Sequence, residues 1–182
     1  GFIDIPTSAV VGVIAAVAVG ISIRGARHEL DERTAPLAGL VAAFIFAVQM
    51  LNFPVAAGTS GHLLGGALAA ILIGPYAGAL AVTTVLVVQA LLFADGGLTA
   101  LGLNIINMAF VMTVVGWFVF RGLLKVLPHR RSSILGASFV AALLSVPAAA
   151  LAFVVEYSLG GAATFSVSQV LVAMVGMHVL IG

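Results

Sequence analysis

Charged residues are the scarcest class in this sequence: 7% of its 182 residues are charged, whereas 63% are hydrophobic. An ordinary soluble domain carries charge on about a quarter of its residues, so the composition excludes such a domain. Cysteine is absent altogether, which excludes both disulfide bonds and metal sites built on thiolates. The composition therefore predicts an integral membrane protein.

The sequence also lacks the motifs that would let it supply its own energy. It contains no Gly-x-x-x-x-Gly-Lys-Ser/Thr motif, so it does not hydrolyse nucleotides through a P-loop. No series of carboxylates lies within the apolar segments, which leaves little to couple transport to protons or sodium ions. The sequence also shows no nucleophile paired with a base, the arrangement that would indicate an enzyme. We therefore expect a protein that binds or conducts passively, or one that uses the energy of another subunit.

The apolar segments are long and rich in glycine and alanine, and they lack the strand-length alternation of a membrane barrel. A helix of about twenty apolar residues crosses a membrane, so the chain has room for about seven. We predict an all-α membrane protein with a single transmembrane domain over residues 1–182. The predicted spans cover residues 8–23, 36–53, 62–74, 75–93, 103–124, 133–157 and 166 onward.

The basic residues form two clusters, after the first and fifth spans. They are Arg24, Arg27 and Arg33, then Arg121, Lys125, Arg130 and Arg131, which account for all seven Lys and Arg. Seven spans place both clusters on one side, and the positive-inside rule makes that side cytoplasmic and the N-terminus external. Asp4, Asp95 and Glu156 then fall in outer loops, where they would attract a cation. Alternatively, the outer loops simply avoid basic residues.

His62 stands between two long apolar runs and is surrounded by glycine. An imidazole so close to lipid is costly unless it is used or satisfied. The span that starts there has about thirteen residues and covers about 20 Å, against a hydrocarbon core of about 30 Å. We therefore expect His62 at the floor of an outward-facing recess. It could serve as a metal ligand, a proton carrier, or a buried residue bonded to a carbonyl.

Other polar side chains could support that site. Gln49, Asn52, Asn104 and Asn107 are amides at or near the outer ends of the second and fifth spans, and Ser60 lies just before His62. They could hold a folded-in loop by hydrogen bonds, or they could cap helices and bond between them. The remaining histidines look less suited to a site. His28 and His129 fall in charged loops, and His178 is interpreted as a satisfied histidine of the bundle.

The segment around His62 resembles a known family. Residues 52–66 (NFPVAAGTSGHLLGG) and 74–78 (GPYAG) are similar to the CbiM/NikM family, the substrate-binding (S) components of energy-coupling-factor (ECF) transporters for cobalt and nickel. Residues 177–182 (MHVLIG) resemble the last helix of that family, and the opening Gly1-Phe2 resembles the end of its Met-His-Ile-Pro-Asp-Gly start. The resemblance covers essentially the whole chain, and the His62 segment is its specific part.

The resemblance implies a seven-helix protein with an external N-terminus that tucks into the bundle. The terminal amine and the Met-His dipeptide would chelate the metal with a further histidine, which maps onto His62, in a near square-planar nitrogen site. Such a site suits Co(II) or Ni(II). This sequence does not contain the Met-His start, so we expect an incomplete site, with the run through Asp4 left mobile.

The resemblance also implies the partners. These are a CbiQ-like coupling (T) protein, CbiO-like ATPases, a small CbiN-like membrane subunit and membrane lipid, with no nucleic acid. We predict the S component of an ATP-driven cobalt uptake transporter in a bacterial inner membrane, which supplies cobalamin synthesis and has no ATPase or cofactor of its own.

The alternatives are a nickel-specific S component, a small-solute channel and a purely structural subunit. A channel is suggested by residues 60–62, which enter a short half-helix as in aquaporin re-entrant loops, although the Asn-Pro-Ala signature is absent.

Overall fold

The computed structural model describes residues 2–32, 34–55 and 59–182, and for residues 52–55 and 59–61 it describes the main chain alone. Seven helices occur in these ranges: α1 (Ile5–Ala26), α2 (Thr34–Gln49), α3 (Gly66–Ile73), α4 (Pro75–Leu92), α5 (Leu98–Val126), α6 (Arg131–Gly160) and α7 (Val167–Ile181). Four of them, α1, α4, α5 and α6, are long and apolar enough to cross a membrane. The prediction of an all-α, multi-pass membrane protein is confirmed.

Small residues let these helices pack closely. A Cβ atom added at Gly102 of α5 would lie 2.5 Å from the Cα of Gly12 in α1, and one at Gly116 of α5 would lie 2.7 Å from the Cβ of Ala67 in α3. Within a membrane, such close van der Waals packing holds helices together, because lipid is as apolar as the side chains. The largest buried cluster joins α1, α2, α3, α4 and α5 and includes Ile45.

Helix α5 departs from regular α-helical geometry. It begins with a 3₁₀ turn (Leu98–Ala100), continues as an α-helix (Leu101–Asn104) and a π-helical stretch (Ile105–Val111), and ends as an α-helix (Met112–Val126). A π-helical turn inserts an extra residue and redirects the side chains that follow, and such turns often occur at functional sites. This one packs against α3, α4 and α6.

Two short strands connect α2 to α3. Strands β1 (Asn52–Val55) and β2 (Thr59–His62) pair antiparallel, with Asn52 opposite His62. The sequence analysis did not predict this hairpin: it extended the second span to residue 53 and started the third at His62. Helix α2 instead ends at Gln49, and α3 does not begin until Gly66. Strand pairing gives the main-chain N–H and C=O groups between α2 and α3 the hydrogen-bond partners that a helix would otherwise supply. Such groups must be satisfied within the protein wherever water is excluded.

The connections lie at two ends of the bundle. We call one the basic end: it contains the loops that follow α1, α3 and α5. The other is the hairpin end, with the start of α1 and the connections that follow α2, α4 and α6. All six basic residues that the structure describes (Arg24, Arg27, Arg121, Lys125, Arg130 and Arg131) belong to the basic end, as predicted. Which end faces the cytoplasm stays a prediction.

The run through Asp4 is attached to the α6–α7 connection at the hairpin end. Asp4 donates its N–H to the carbonyl of Gly160 at 2.7 Å, and Phe2 accepts the N–H of Ala162 at 2.9 Å. Asp4 also caps α1, and its hydrogen bonds from Thr7 hold the pKa of its carboxyl below the usual value. Main-chain hydrogen bonds thus attach residues 2–4 to this connection, and the mobility of the run stays a prediction.

Candidate metal site

His62 ends β2 and precedes the turn into α3. Its Nδ1 atom lies 3.1 Å from the main-chain oxygen of Leu63. A carbonyl oxygen only accepts hydrogen bonds, so this bond places the ring proton on Nδ1 and leaves the lone pair on Nε2. Histidines that bind metals are commonly held in this way, with one nitrogen donating to a carbonyl and the other free for the metal. The geometry thus leaves Nε2 of His62 available as a ligand.

The segment that follows His62 is wedged between helices. A Cβ atom at Gly65 would lie 2.5 Å from the Ile45 side chain of α2, and one at Gly66 would lie 2.6 Å from the Met112 side chain of α5. Such approaches leave room for glycine alone. From there α3 runs eight residues, about 12 Å, to the basic end. His62 lies four residues before this helix and is half-buried, and the hydrogen bond of its ring is exposed. The outward-facing recess stays a prediction.

Two of the predicted supporting residues lie on the hairpin itself. Asn52 is the strand partner of His62, and Ser60 is the partner of Pro54. The main chain thus places Asn52 beside His62, whereas the roles of both side chains remain predictions. Asn104 lies elsewhere. A Cβ atom at Gly96 would be 2.5 Å from its Nδ2, so Asn104 packs against the α4–α5 connection.

Asn107 makes a buried bond between helices. It lies in the π-helical stretch of α5, and its Nδ2 donates to Glu156 Oε2 of α6 at 2.7 Å. The expectation that Glu156 lies in an outer loop was wrong: it is within α6 and only 8% exposed. The sequence hides this because the residue is a single acid four positions before the helix ends at Gly160. The described helices therefore contain a buried carboxylate, that of Glu156, which is hydrogen-bonded to the amide of Asn107.

Several buried amides near the hairpin end have polar atoms without a hydrogen-bond partner among the described residues. They are both side-chain polar atoms of Gln49, the Nε2 of Gln89 and the Oδ1 of Asn107. Gln49 and Gln89 are 1% and 3% exposed, and each follows by one turn a member of the largest buried cluster, Ile45 or Val85. Gln89 was missed by the sequence analysis, although an amide within an apolar helix is itself a signal. These polar atoms can therefore form hydrogen bonds with a group outside the described residues.

His178 is a hydrogen-bonded histidine of the bundle, as the sequence analysis expected. It lies on α7, where its Nδ1 donates to the carbonyl of Met174 at 2.7 Å. Leu64, two residues after His62, and Ile181, three after His178, pack against the same buried cluster. The fold thus brings together two histidines that are 116 positions apart in the sequence. His28 and His129, by contrast, are exposed at the basic end, as expected.

The described residues do not form a complete metal site. Within residues 2–32, 34–55 and 59–182, no group of three His, Asp or Glu side chains is placed to hold an ion. In the predicted site His62 would supply one nitrogen, and a tight site of the kind favoured by Co(II) or Ni(II) requires further nitrogen ligands.

Comparisons with known proteins place these features in context. A family model described as the CbiM cobalt uptake substrate-specific transmembrane region matches residues 1–182. A protein of Archaeoglobus fulgidus that is named as a fused nickel transport protein, NikMN, is 40% identical over 182 residues, which are 100% of this chain and 59% of that protein. The cobalt transport protein CbiM of Geobacter sulfurreducens is 39% identical over 135 residues, 74% of this chain and 37% of that protein. The chain thus spans less than two thirds of the length of either protein.

Solved structures show the same fold. The crystal structure of a truncated transition metal transporter superposes with a TM-score of 0.87 and 29% sequence identity. The match covers 98% of this chain and 87% of that one.

Proposed function

Because the chain belongs to the CbiM family of cobalt uptake substrate-specific transmembrane regions, we propose that it captures Co(II) from outside the cell through His62. It is a substrate-specific membrane component of the cobalt and nickel transport class. In the proposal, the ion binds to Nε2 of His62 and to further nitrogen ligands, and it is then released inward for cobalamin synthesis.

The observation that carries the proposal is the state of the His62 ring. Its Nδ1 is bonded to a neighbouring carbonyl, and its Nε2 has no hydrogen-bond partner among the described residues. The half-buried residue directly precedes a segment whose glycines, Gly65 and Gly66, are held between α2 and α5. The unpartnered amide atoms of Gln49 and Asn107 can form hydrogen bonds with a segment that brings the further nitrogen ligands to the ion.

Energy for release must come from other chains in this proposal. The sequence has no P-loop, so we assign ATP hydrolysis to separate CbiO-like subunits, coupled through a CbiQ-like membrane protein, with a small CbiN-like subunit in the same assembly. The buried carboxylate of Glu156 is bonded to Asn107 and stands alone within the described helices. It therefore does not form the series of carboxylates that a proton-driven pump uses.

Nickel is the second candidate substrate. Co(II) and Ni(II) prefer the same nitrogen ligands, so affinity order and geometry decide between them rather than the identity of one histidine. The similarity to a protein named for nickel transport supports this candidate as directly as the CbiM relatives support cobalt.

The test replaces His62 with alanine in the complete transporter and measures cobalt and nickel uptake by cells. We expect the uptake of the transported ion to fall by at least about 100-fold, because a nitrogen ligand is lost. Protein level and thermal stability in detergent should stay near wild type, since alanine is smaller than histidine. His28→Ala, which removes an exposed histidine at the basic end, is the matched control. Unchanged uptake in His62→Ala would refute the ligand role, and a channel would show uptake without saturation by either ion.

A further inference from the structure

From the charges and the cavity at the basic end, we infer that the α5–α6 connection binds the phosphate headgroup of an anionic phospholipid. The inference goes beyond the proposed function, because it concerns the contact between the protein and the surrounding leaflet rather than the transported ion. The bound lipid would hold the basic end at the level of the lipid phosphates. The argument depends neither on the metal that is carried nor on the role of His62.

The first step is the difference in charge between the two connections that contain the basic residues. Residues 24–33 contain three basic side chains and three acidic ones, which offset one another. Residues 121–131 contain four basic side chains and no acid. The positive-inside rule counts Lys and Arg and is not a rule of net charge, so either connection satisfies it. The excess positive charge after α5 is therefore not required by the orientation of the chain.

The second step is a cavity at the end of α5. It has a volume of about 640 Å³ and lies between the last turns of α5, the loop that follows and the first turn of α6. Its lining contains no acid and includes all four basic side chains of the connection, Arg121, Lys125, Arg130 and Arg131. None of the four forms an ion pair among the residues that the structure describes. Their positive charges are therefore available to an anion that enters the cavity.

The third step is the chemistry of these donors, which suits a phosphate group. Arginine binds phosphate through paired hydrogen bonds, and a lysine ammonium adds a compact charge. The start of α6 borders the same cavity, and its N-cap residue Arg130 makes no side-chain capping bond. Main-chain N–H groups at a helix start also bind phosphate oxygens. The cavity thus offers guanidinium, ammonium and main-chain donors to one anion.

The apolar surroundings favour a lipid as the source of that phosphate. Leu124, Leu127 and Ile134 line the cavity beside the basic side chains, so an acyl chain can pack next to the headgroup. One turn further from the connection, the Cζ of Arg121 lies 5.3 Å from the centroid of the Trp117 ring. Tryptophan is enriched at the level of lipid headgroups. A basic cavity between helices at this level is the arrangement that binds the headgroups of anionic lipids.

The experiment measures which lipid lies beside Trp117. The complete protein is reconstituted in phosphatidylcholine with brominated acyl chains, which quench nearby tryptophans, and unbrominated phosphatidylglycerol or phosphatidylcholine is then added. The fluorescence that Trp117→Phe lacks is assigned to Trp117. We expect phosphatidylglycerol to relieve the quenching at least about 10-fold more effectively than phosphatidylcholine, since each basic side chain near an anionic surface contributes about 5-fold.

Two double variants test the cavity. Arg121→Gln/Arg130→Gln and Lys125→Gln/Arg131→Gln each remove two charges from its lining. Each should lose most of the preference for phosphatidylglycerol, because two such charges together contribute about 30-fold. Glutamine keeps a hydrogen-bond donor but carries no charge. All four side chains are exposed, so we expect the fold to be retained, and thermal unfolding in detergent checks this.

The matched control is Arg24→Gln/Arg27→Gln, which removes the same charge from the other connection at the basic end. Both side chains are exposed, and the preference for phosphatidylglycerol should persist in this variant. An equal loss of preference in the control would overturn the inference, because the overall charge of the protein would then select the lipid rather than the cavity.

Three further outcomes would overturn the inference. Equal relief of quenching by both lipids in the wild type would exclude a site for an anionic lipid. Loss of the preference on addition of inorganic phosphate, but not of chloride at the same ionic strength, would identify a site for the free anion. An unchanged preference in both cavity variants, together with loss of cobalt uptake by the complete transporter, would indicate that the basic side chains contact an acidic partner protein instead.

Discussion

The hydrogen-bonded acids of the basic end differ from the buried amides that lie toward the hairpin end. At the basic end, Glu29 reaches from the α1–α2 connection and accepts the N–H of Ala77 at 2.7 Å, in the first turn of α4. Asp31 and Thr34 exchange hydrogen bonds at the start of α2. Toward the hairpin end, buried amides of α2, α4 and α5 hold polar atoms without partners among the described residues.

This contrast separates stability from binding. A satisfied carboxylate at a helix start complements the free N–H groups there and strengthens the fold. A buried amide without a partner costs free energy in the empty protein, so its persistence suggests a ligand that provides the missing bond. We therefore assign the structural role to the basic end and the binding role to the region between the hairpin and α5.

The largest effect is expected from a test of the orientation of the two ends. The chain has no cysteine, so Thr99→Cys at the hairpin end and Ser132→Cys at the basic end each provide a single exposed thiol. An impermeant thiol reagent should label Thr99→Cys in intact cells and should label Ser132→Cys only after lysis. The physical reason is the retention of basic loops on the cytoplasmic side. Labelling of both in intact cells would remove the basis for an outward-facing site.

A smaller effect is expected at the basic end. Glu29→Ala removes the acceptor of the Ala77 N–H and should lower the free energy of unfolding by about 1–3 kcal/mol, because the donor is left unsatisfied. Thermal unfolding in detergent measures the loss, and Glu32→Ala, an exposed acid on the same connection, is the control. Affinity for cobalt should not change. A loss of affinity without a loss of stability would reverse the roles assigned to the two ends.

The smallest change in stability is expected from Gln49→Met, which replaces a buried amide with an apolar side chain of similar size. Stability should hold or rise by about 1 kcal/mol, because two unpartnered polar atoms leave the interior. Cobalt binding should weaken by about 10-fold, which corresponds to one lost hydrogen bond of about 1.4 kcal/mol. Marked destabilisation would mean that Gln49 already has a partner and that the contrast between the ends is weaker than proposed.

The amino-acid pattern alone was sufficient to predict the membrane class, the seven helices and the clustering of basic residues at one end. These properties depend on local composition, since a run of apolar residues must be helical in lipid and basic loops do not cross it. The pattern also identified His62, because a lone imidazole among glycines is rare in such a chain. The family follows from the resemblance of residues 52–66 and was confirmed by the comparisons.

The tertiary structure decided which polar groups meet. The Asn107–Glu156 bond and the contact of Leu64 and Ile181 with one buried cluster each join residues far apart in sequence. No local period predicts them, because the faces that helices turn toward one another are set by close packing of small residues around the whole bundle. The sequence determined that a histidine would lie within this membrane protein, and only the packing of α3, α5, α6 and α7 decided what surrounds it.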